Sequence, residues 1–203
     1  AGLWRRLLMT RMDPMRKTRI AVVGAGVIGQ AHMAALRSQA DACLSAVVDP
    51  APAAKDLAAQ SGVPYYSALA DLIAADCTDG VVLATPNTFH AEQARRCIAG
   101  GLPLLLEKPM TATVAQAQDL VRVAEASDAR VLIGHHRAHS PIMAKACAVV
   151  QSGQLGRLVA VMGSATFYKP DHYFADGPWR SQAGGGPILI NMIHEVHNLR
   201  MLC

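Results

Sequence analysis

From residue 19 to residue 136, short apolar runs alternate with stretches of helical character. The apolar runs are 19–24, 43–49, 80–85, 102–108 and 130–136, with the Tyr65-Tyr66 pair as a shorter one. Strands this apolar, separated by helices, are typical of a parallel sheet covered on both faces. We therefore predict a doubly wound α/β fold, in which ligands bind at the carboxyl ends of the strands. The small apolar residues of its last part, such as Val121, Ala124 and Leu132, are expected in the core.

The pattern changes after residue 137. A helix with Pro141 in its first turn is followed by residues 157–168, whose alternation predicts a strand of a different sheet. A glycine turn then leads into a helix that runs to the end of the sequence. Because an isolated strand is not a stable sheet, we expect this second domain to be partial, an α+β domain cut short.

Composition limits the classes of protein to consider. Of the 203 residues, 52% are hydrophobic and 17% charged, which is typical of a globular chain. No apolar run approaches the roughly 20 residues that span a bilayer, so no membrane partner is expected. The five cysteines are odd in number and contain no C-x-x-C. Scattered thiols of this kind indicate a reducing, cytoplasmic location.

The net charge of +4 is concentrated at one end. Residues 1–19 hold six basic side chains and one acidic one, which leaves 13 basic and 14 acidic side chains in the other 184 residues. A basic surface for nucleic acid is therefore not predicted. We interpret residues 1–17 as a leader that is disordered or not native, with an Arg-rich transit peptide as the alternative.

The hexapeptide GAGVIG, at 24–29, matches G-x-G-x-x-G at a strand-to-helix turn. Glycines there permit a tight turn and a close approach of the backbone to a pyrophosphate, which the helix N-terminus stabilises. Asp49 follows Gly29 by twenty residues and ends the second apolar run. A carboxylate there accepts hydrogen bonds from ribose hydroxyls and repels a 2′-phosphate, so NAD is favoured over NADP. The predicted dinucleotide-binding residues are Gly24, Gly26, Val27, Ile28, Gly29 and Asp49, in a Rossmann domain spanning 18–137, with the second domain spanning 138–203.

Two further motifs stand at strand ends. ATPNTFH covers 84–90, where Asn87 or Thr88 suits a helix cap. Glu107, Lys108 and Pro109 follow the leucine run, where an ion pair at the water boundary is the simplest interpretation.

Together with GAGVIG and the later AGGG…IHEV, these motifs resemble the Gfo/Idh/MocA family of NAD(P)-dependent oxidoreductases, named for glucose–fructose oxidoreductase and inositol dehydrogenase. The resemblance extends from about residue 18 to the end of the sequence. It implies an NAD cofactor, a sugar, cyclitol or related substrate, and a homo-oligomeric full-length form. It also implies further cofactor-binding residues, which are Thr85, Pro86, Asn87, His90, Glu107 and Lys108.

The resemblance places Lys108 between nicotinamide and substrate. Oxidising an alcohol requires loss of a hydride and a proton, and a cation beside the hydroxyl stabilises the developing alkoxide. His194 matches the family histidine that contacts the substrate hydroxyl, although a hydrogen-bonded core histidine is the alternative. Ile190 stands where the family has an aspartate, and Asn191 lies three residues before His194, on the same helix face. The implied catalytic set is Lys108, Asn191 and His194, without the carboxylate of the relay.

Arg137, Trp179 and Arg180 are implied as substrate-binding residues. Arg137 could instead order the domain junction. Five histidines, at 135, 136, 139, 194 and 197, raise the question of zinc. HEVH is not H-E-x-x-H and no cysteine has ligand spacing, so no metal is expected.

The sequence thus predicts an oxidoreductase that transfers a hydride between NAD(H) and a hydroxyl or keto carbon. The alternatives are a non-catalytic, sensor-like dinucleotide-binding protein and an inactive fragment of such an enzyme.

Overall fold

A computed structural model describes residues 16–182 and 185–203. Most of the leader predicted over residues 1–17 therefore lies outside the described residues. By compactness the chain divides into an N-terminal unit, residues 1–84, and a C-terminal unit, residues 85–203. The boundary predicted after residue 137 is a different one, and it stays a prediction.

The described residues contain six strands, which form one parallel sheet in the order β3-β2-β1-β4-β5-β6. They are β1 (Thr18–Val23), β2 (Ala42–Val48), β3 (Tyr65–Tyr66), β4 (Gly80–Leu83), β5 (Leu104–Leu106) and β6 (Val131–Ile133). The order reverses between β1 and β4, because β2 and β3 extend the sheet on one side of β1 and later strands extend it on the other. The predicted doubly wound α/β fold is confirmed.

Helices connect and follow these strands close to the predicted positions. They are α1 (Val27–Arg37), α2 (Ala53–Gln60), α3 (Leu69–Ala75), α4 (His90–Ala99), α5 (Val114–Ala126), α6 (Pro141–Gln151), α7 (Asp171–Ala175) and α8 (Ile193–Leu202). Short 3₁₀ turns cover Asn87–Phe89, His136–His139 and Pro178–Ser181, and a π turn covers Ile188–Met192. No helix of the described residues is both long and apolar enough to cross a membrane.

The N-terminal unit has its core in β1, β2 and β4. Each of these strands contains consecutive buried residues, for example Val22, Val47 and Leu83 at 0% exposure. Burial on both faces explains the uninterrupted apolar runs in the sequence. The carboxyl end of β1 leads directly into the glycine turn before α1.

The C-terminal unit departs from the sequence prediction at residues 157–168. These residues form neither helix nor strand and are mostly exposed, with Met162 at 97%. The predicted strand is therefore wrong, because an alternating run forms a strand only when a second strand supplies its backbone hydrogen bonds. The described residues contain no such partner.

A second departure concerns apolar residues expected in the core. Leu132 is 68% exposed and Val121 is 42% exposed. Leu132 belongs to β6, the edge strand of the sheet, and only one face of that edge is covered by other described residues. Apolar character alone did not distinguish a covered face from an open one.

Candidate active site

The glycine turn of the N-terminal unit joins β1 to α1. Gly24 has a φ of 93°, a conformation that L side chains rarely adopt. A Cβ atom on Gly29 would lie 1.8 Å from the carbonyl oxygen of Gly24, so only glycine permits this packing of helix against turn. A Cβ atom on Gly26 would meet nothing within 4 Å. The first and last glycines thus fix the turn, and the middle one borders open space.

The start of α1 fits the phosphates of a dinucleotide. No side chain caps its first amides, and Gly26 precedes the helix with an extended backbone. Val27 and Ile28, in the first turn, are 81% and 46% exposed. Uncapped amides beside open space at the positive end of a helix dipole form an anion-binding arrangement.

Asp49 lies next to this turn. Its Oδ2 accepts a hydrogen bond of 2.7 Å from the Ala25 amide, and its Oδ1 accepts one of 2.8 Å from the Ala51 amide. The carboxylate therefore holds the glycine turn at the end of β2 and is still half-exposed. Each carboxylate oxygen has a second lone pair, so the group can also accept from a ribose hydroxyl.

In the C-terminal unit, His90 connects the segment after β4 to the Glu107-Lys108-Pro109 segment. Its ring is 1% exposed, with Nδ1 2.8 Å from the Pro109 carbonyl oxygen and Nε2 2.9 Å from the Thr85 carbonyl oxygen. Burial lowers the pKa of His90, and the two carbonyls partly oppose this. If His90 contributes to cofactor binding as predicted, it would do so indirectly, by positioning the backbone at Thr85 and Pro109.

Thr85, Pro86 and Asn87 surround the same turn. The Thr85 hydroxyl donates a 2.6 Å hydrogen bond to Gln93 Oε1 on α4. Asn87 is 3% exposed and opens the 3₁₀ turn, with Pro86 immediately before it. The expected Thr88 or Asn87 side-chain cap is not formed, since no side chain caps this turn or α4.

Glu107 is a buried carboxylate at the carboxyl end of β5, 7% exposed. A Cβ atom on Gly134 would lie 2.9 Å from Glu107 Oε1, so a glycine after β6 provides the room for this carboxylate. Its Oε2 accepts from the Lys108 amide at 3.2 Å. The negative charge of Glu107 raises the pKa values of Lys108, His90 and His135, which partly offsets their burial.

Lys108 extends from the end of β5 to the π turn. Its Nζ donates a 2.7 Å hydrogen bond to the carbonyl oxygen of Ile190. A π turn leaves carbonyls without their usual helical partner, and such turns are frequent at functional sites. Burial lowers the pKa of Lys108, and the positive charges of Arg137 and Lys169 lower it further. Ile190, at the position where the resemblance implies an aspartate, therefore contacts the lysine through its backbone.

His194 is buried at 4% exposure in the first turn of α8. Burial, followed by the charge of Lys108, lowers its pKa to about 4. The imidazole is therefore neutral at pH 7 and can accept a proton. Its Nδ1 is buried and has no hydrogen-bond partner among the described residues.

Two other histidine rings lie beside His194, and a third stacks on one of them. The His136 ring lies 4.6 Å from it edge-on, and the His135 ring lies 6.1 Å away. His135 stacks on His197 at 4.1 Å between ring centroids. Within the described residues, no group of three or more His, Cys, Asp or Glu side chains is arranged to hold a metal ion. The sequence suggested these histidines only as candidate metal ligands and did not indicate that His135 and His136 lie beside His194.

Arg137 forms an ion pair with Glu195 of α8 and lies 5.9 Å from the centre of the Phe167 ring. This contact matches the ordering role that was the alternative for Arg137. Glu195 follows His194 directly, and its position in the IHEV motif was the only sequence signal for it.

Arg180 and Trp179 lie together in the 3₁₀ turn Pro178–Ser181. The Arg180 guanidinium stands 5.3 Å from the Trp179 ring and 4.3 Å from the Tyr173 ring. Arg180 and Asn191 line one cleft, together with Lys169, Ile190 and others. The structure thus brings Lys108, His194 and Arg137 together around the start of α8, and places Asn191 and Arg180 on a neighbouring cleft.

Comparison with known proteins adds an independent finding. The family described as "Oxidoreductase family, NAD-binding Rossmann fold" matches residues 18–135, and the "GFO/IDH/MocA C-terminal domain" matches residues 143–203. The rhizopine catabolism protein MocA of Rhizobium meliloti is 31% identical over 93% of this chain and 58% of its own length. Inositol 2-dehydrogenase of Corynebacterium glutamicum is 30% identical over 73% of this chain and 45% of its own length.

A solved structure gives the same result. The WlbA dehydrogenase from Bordetella pertussis, in complex with NADH and UDP-GlcNAcA, is 26% identical, with a TM-score of 0.88 over 92% of this chain and 55% of its own. The chain thus spans about half the length of the relatives that it matches.

Proposed function

The chain belongs to the Gfo/Idh/MocA oxidoreductase family, and from this premise we propose that the protein transfers a hydride between NAD(H) and a hydroxyl or keto carbon of a sugar, cyclitol or related small molecule. The names of relatives that act on inositol and on 1,5-anhydro-D-fructose support this class of substrate. The observation that carries the proposal is a half-buried lysine, Lys108, whose charge lowers the pKa of a buried, neutral histidine, His194, in the C-terminal unit.

NAD, and not NADP, is the proposed cofactor. The half-exposed Asp49 carboxylate beside the glycine turn supports this, since a 2′-phosphate next to it would be repelled. Gly24, Gly26 and Gly29, with Val27 and Ile28, would hold the pyrophosphate. Bound NAD would supply the hydride acceptor.

The protein's own residues would hold charge and move the proton. Lys108 would donate a hydrogen bond to the reacting oxygen and stabilise its negative charge. His194 would accept the hydroxyl proton, since its imidazole is neutral at pH 7. Asn191 would orient a substrate hydroxyl, and Arg137 and Trp179 would shape the substrate side.

A non-catalytic dinucleotide-binding protein is the second candidate. Ile190, which is 8% exposed, stands where the family has an aspartate. This replacement favours the non-catalytic candidate. The lysine then contacts a carbonyl at this position and not a carboxylate, so the proton relay is one group shorter. Retention of both Lys108 and His194 weighs against this candidate.

The proposal also includes the cellular location and the partners of the protein. All five cysteines are free thiols, which is compatible with a reducing cytoplasm. We expect a small-molecule substrate as partner, and a homo-oligomer for the full-length form.

The test is the pair of variants Lys108→Ala and Lys145→Ala. Lys145 is an exposed lysine of α6 and serves as the matched control. NADH affinity is measured by fluorescence, and turnover by absorbance of NADH with a panel of polyols. We expect Lys108→Ala to bind NADH within about threefold of wild type and to lose at least about a hundredfold in turnover. Turnover equal to that of the control would contradict the proposal.

A further inference from the structure

Two cations share one aromatic ring in the C-terminal unit. Lys169 Nζ lies 4.7 Å and the Arg180 guanidinium carbon 4.3 Å from the centre of the Tyr173 ring. Both side chains are half-buried and line the cleft that also contains Ile190 and Asn191. Because each cation lies within 5 Å of the same ring centre, their charges repel each other, and an anion beside them would offset that repulsion.

No carboxylate of the described residues supplies that anion. Glu195 forms its ion pair with Arg137. The acidic residues of the same segment, Asp171 and Asp176, form no ion pair with Lys169 or Arg180. The positive charges of Lys169 and Arg137 also reach Lys108, whose pKa they lower. The cleft therefore has an excess of positive charge beside the π turn that holds Lys108.

Contacts with neighbouring residues fix the position of the Arg180 side chain. A Cβ atom on Gly177 would lie 2.3 Å from Arg180 Nη1, so a glycine leaves the room for the guanidinium. One of its N–H groups donates to the Tyr173 carbonyl, and the Trp179 ring lies on another side. A guanidinium fixed in this way keeps further N–H groups for a planar, bidentate contact with a carboxylate or phosphate.

We infer that the substrate carries an anionic oxygen group, a carboxylate or a phosphate, and that Lys169 and Arg180 bind it. This inference rests on the proposed function and narrows its substrate class, a sugar, cyclitol or related small molecule, to acidic or phosphorylated sugars. A neutral polyol would leave both cations without a counter-charge. The subsite lies beside the turn whose carbonyl holds Lys108, so the anionic group would position the reacting carbon near that lysine.

The test uses Trp179 as its reporter, because it stands 5.3 Å from Arg180. Trp4→Phe removes the other tryptophan and gives the starting protein. D-glucuronate, D-glucose 6-phosphate and neutral D-glucose are titrated at constant ionic strength into this protein and its variants Lys169→Gln, Lys169→Arg and Lys145→Gln. Turnover of each sugar is followed separately by NADH absorbance.

We expect at least one of the two anions to bind about tenfold or more tightly than D-glucose. Lys169→Gln should weaken that binding by about ten- to a hundredfold, the range for loss of a charged hydrogen bond, while Lys169→Arg and Lys145→Gln largely retain it. A preference for glucuronate or for the phosphate identifies the anionic group. Equal affinity for all three sugars, or an unchanged Lys169→Gln, overturns the inference.

Turnover separates this inference from the proposed function. Oxidation of D-glucose as efficient as that of the two anions, and unchanged in Lys169→Gln, overturns the anion subsite and supports the oxidoreductase. Anion binding that depends on Lys169 without any NADH formation supports the subsite and contradicts the oxidoreductase.

Discussion

Two alanine substitutions in the glycine turn distinguish a glycine needed for packing, Gly29, from one expected to border the cofactor, Gly26. In Gly29→Ala, the new Cβ atom would lie 1.8 Å from the Gly24 carbonyl oxygen, where ordinary contact begins at 3.4 Å. The start of α1 must therefore move by roughly 1.6 Å away from the turn, against backbone atoms that cannot rotate aside. Overpacking of this kind costs about 1–3 kcal/mol, and we expect the upper part of that range.

Gly26→Ala is the matched variant, because its Cβ atom would meet nothing within 4 Å and its φ of −69° suits alanine. Its free energy of unfolding should be unchanged or increased by up to about 1 kcal/mol. Its NADH affinity should nevertheless fall at least about tenfold, since the methyl group occupies the space in which we expect the pyrophosphate.

Urea unfolding followed by circular dichroism measures the stabilities of both variants, and NADH fluorescence measures their affinities. Wild-type NADH affinity in Gly26→Ala would refute the assignment of that space to the cofactor. Wild-type stability in Gly29→Ala would refute the close approach of helix and turn.

Three other substitutions test single groups. Asp49→Asn removes the charge that would repel a 2′-phosphate, so the ratio of NADPH to NADH affinity should rise about tenfold or more in nucleotide titrations; an unchanged ratio contradicts the NAD preference. The lowered pKa of His194 means that the unfolded chain takes up a proton near pH 6.5 and the folded chain only near about pH 4. The free energy of unfolding should therefore fall as the pH decreases between these values, and His194→Asn should reduce this slope in urea titrations; an equal slope in the variant contradicts it. His90→Phe leaves the buried carbonyls of Thr85 and Pro109 without their ring contacts, and should lower the free energy of unfolding by about 1–3 kcal/mol; a loss below about 0.5 kcal/mol would show that these contacts add little.

Much of the Rossmann part was predictable because its signals are local. Strands buried on both faces must be apolar along their whole length, and the glycine turn needs glycine at Gly24 and Gly29 for steric reasons visible in the motif itself. The end of β2 likewise placed Asp49 correctly beside that turn. These features depend on residues within about 25 positions of each other.

The parts that sequence did not reveal depend on distant neighbours. The hydrogen bond from Lys108 to the Ile190 carbonyl joins residues 82 positions apart. Because every residue has a backbone carbonyl, the type of residue at position 190 does not indicate this contact. The failed strand at 157–168 shows the same limit, since alternation describes a face but not the partner that must cover it. Lys169 belongs to no sequence motif, and only the folded chain brings it next to the Tyr173 ring.

The most direct measurement of the central claim is the transfer of deuterium from substrate to cofactor. The protein is incubated with NAD⁺ and, in separate reactions, perdeuterated myo-inositol, D-glucose and D-glucuronate, and the nicotinamide product is analysed by mass spectrometry. We predict deuterated NADH with at least one of these compounds and none in Lys108→Ala. Saturable NADH binding without deuterium transfer from any of them would contradict the oxidoreductase and favour a dinucleotide-binding protein without catalysis.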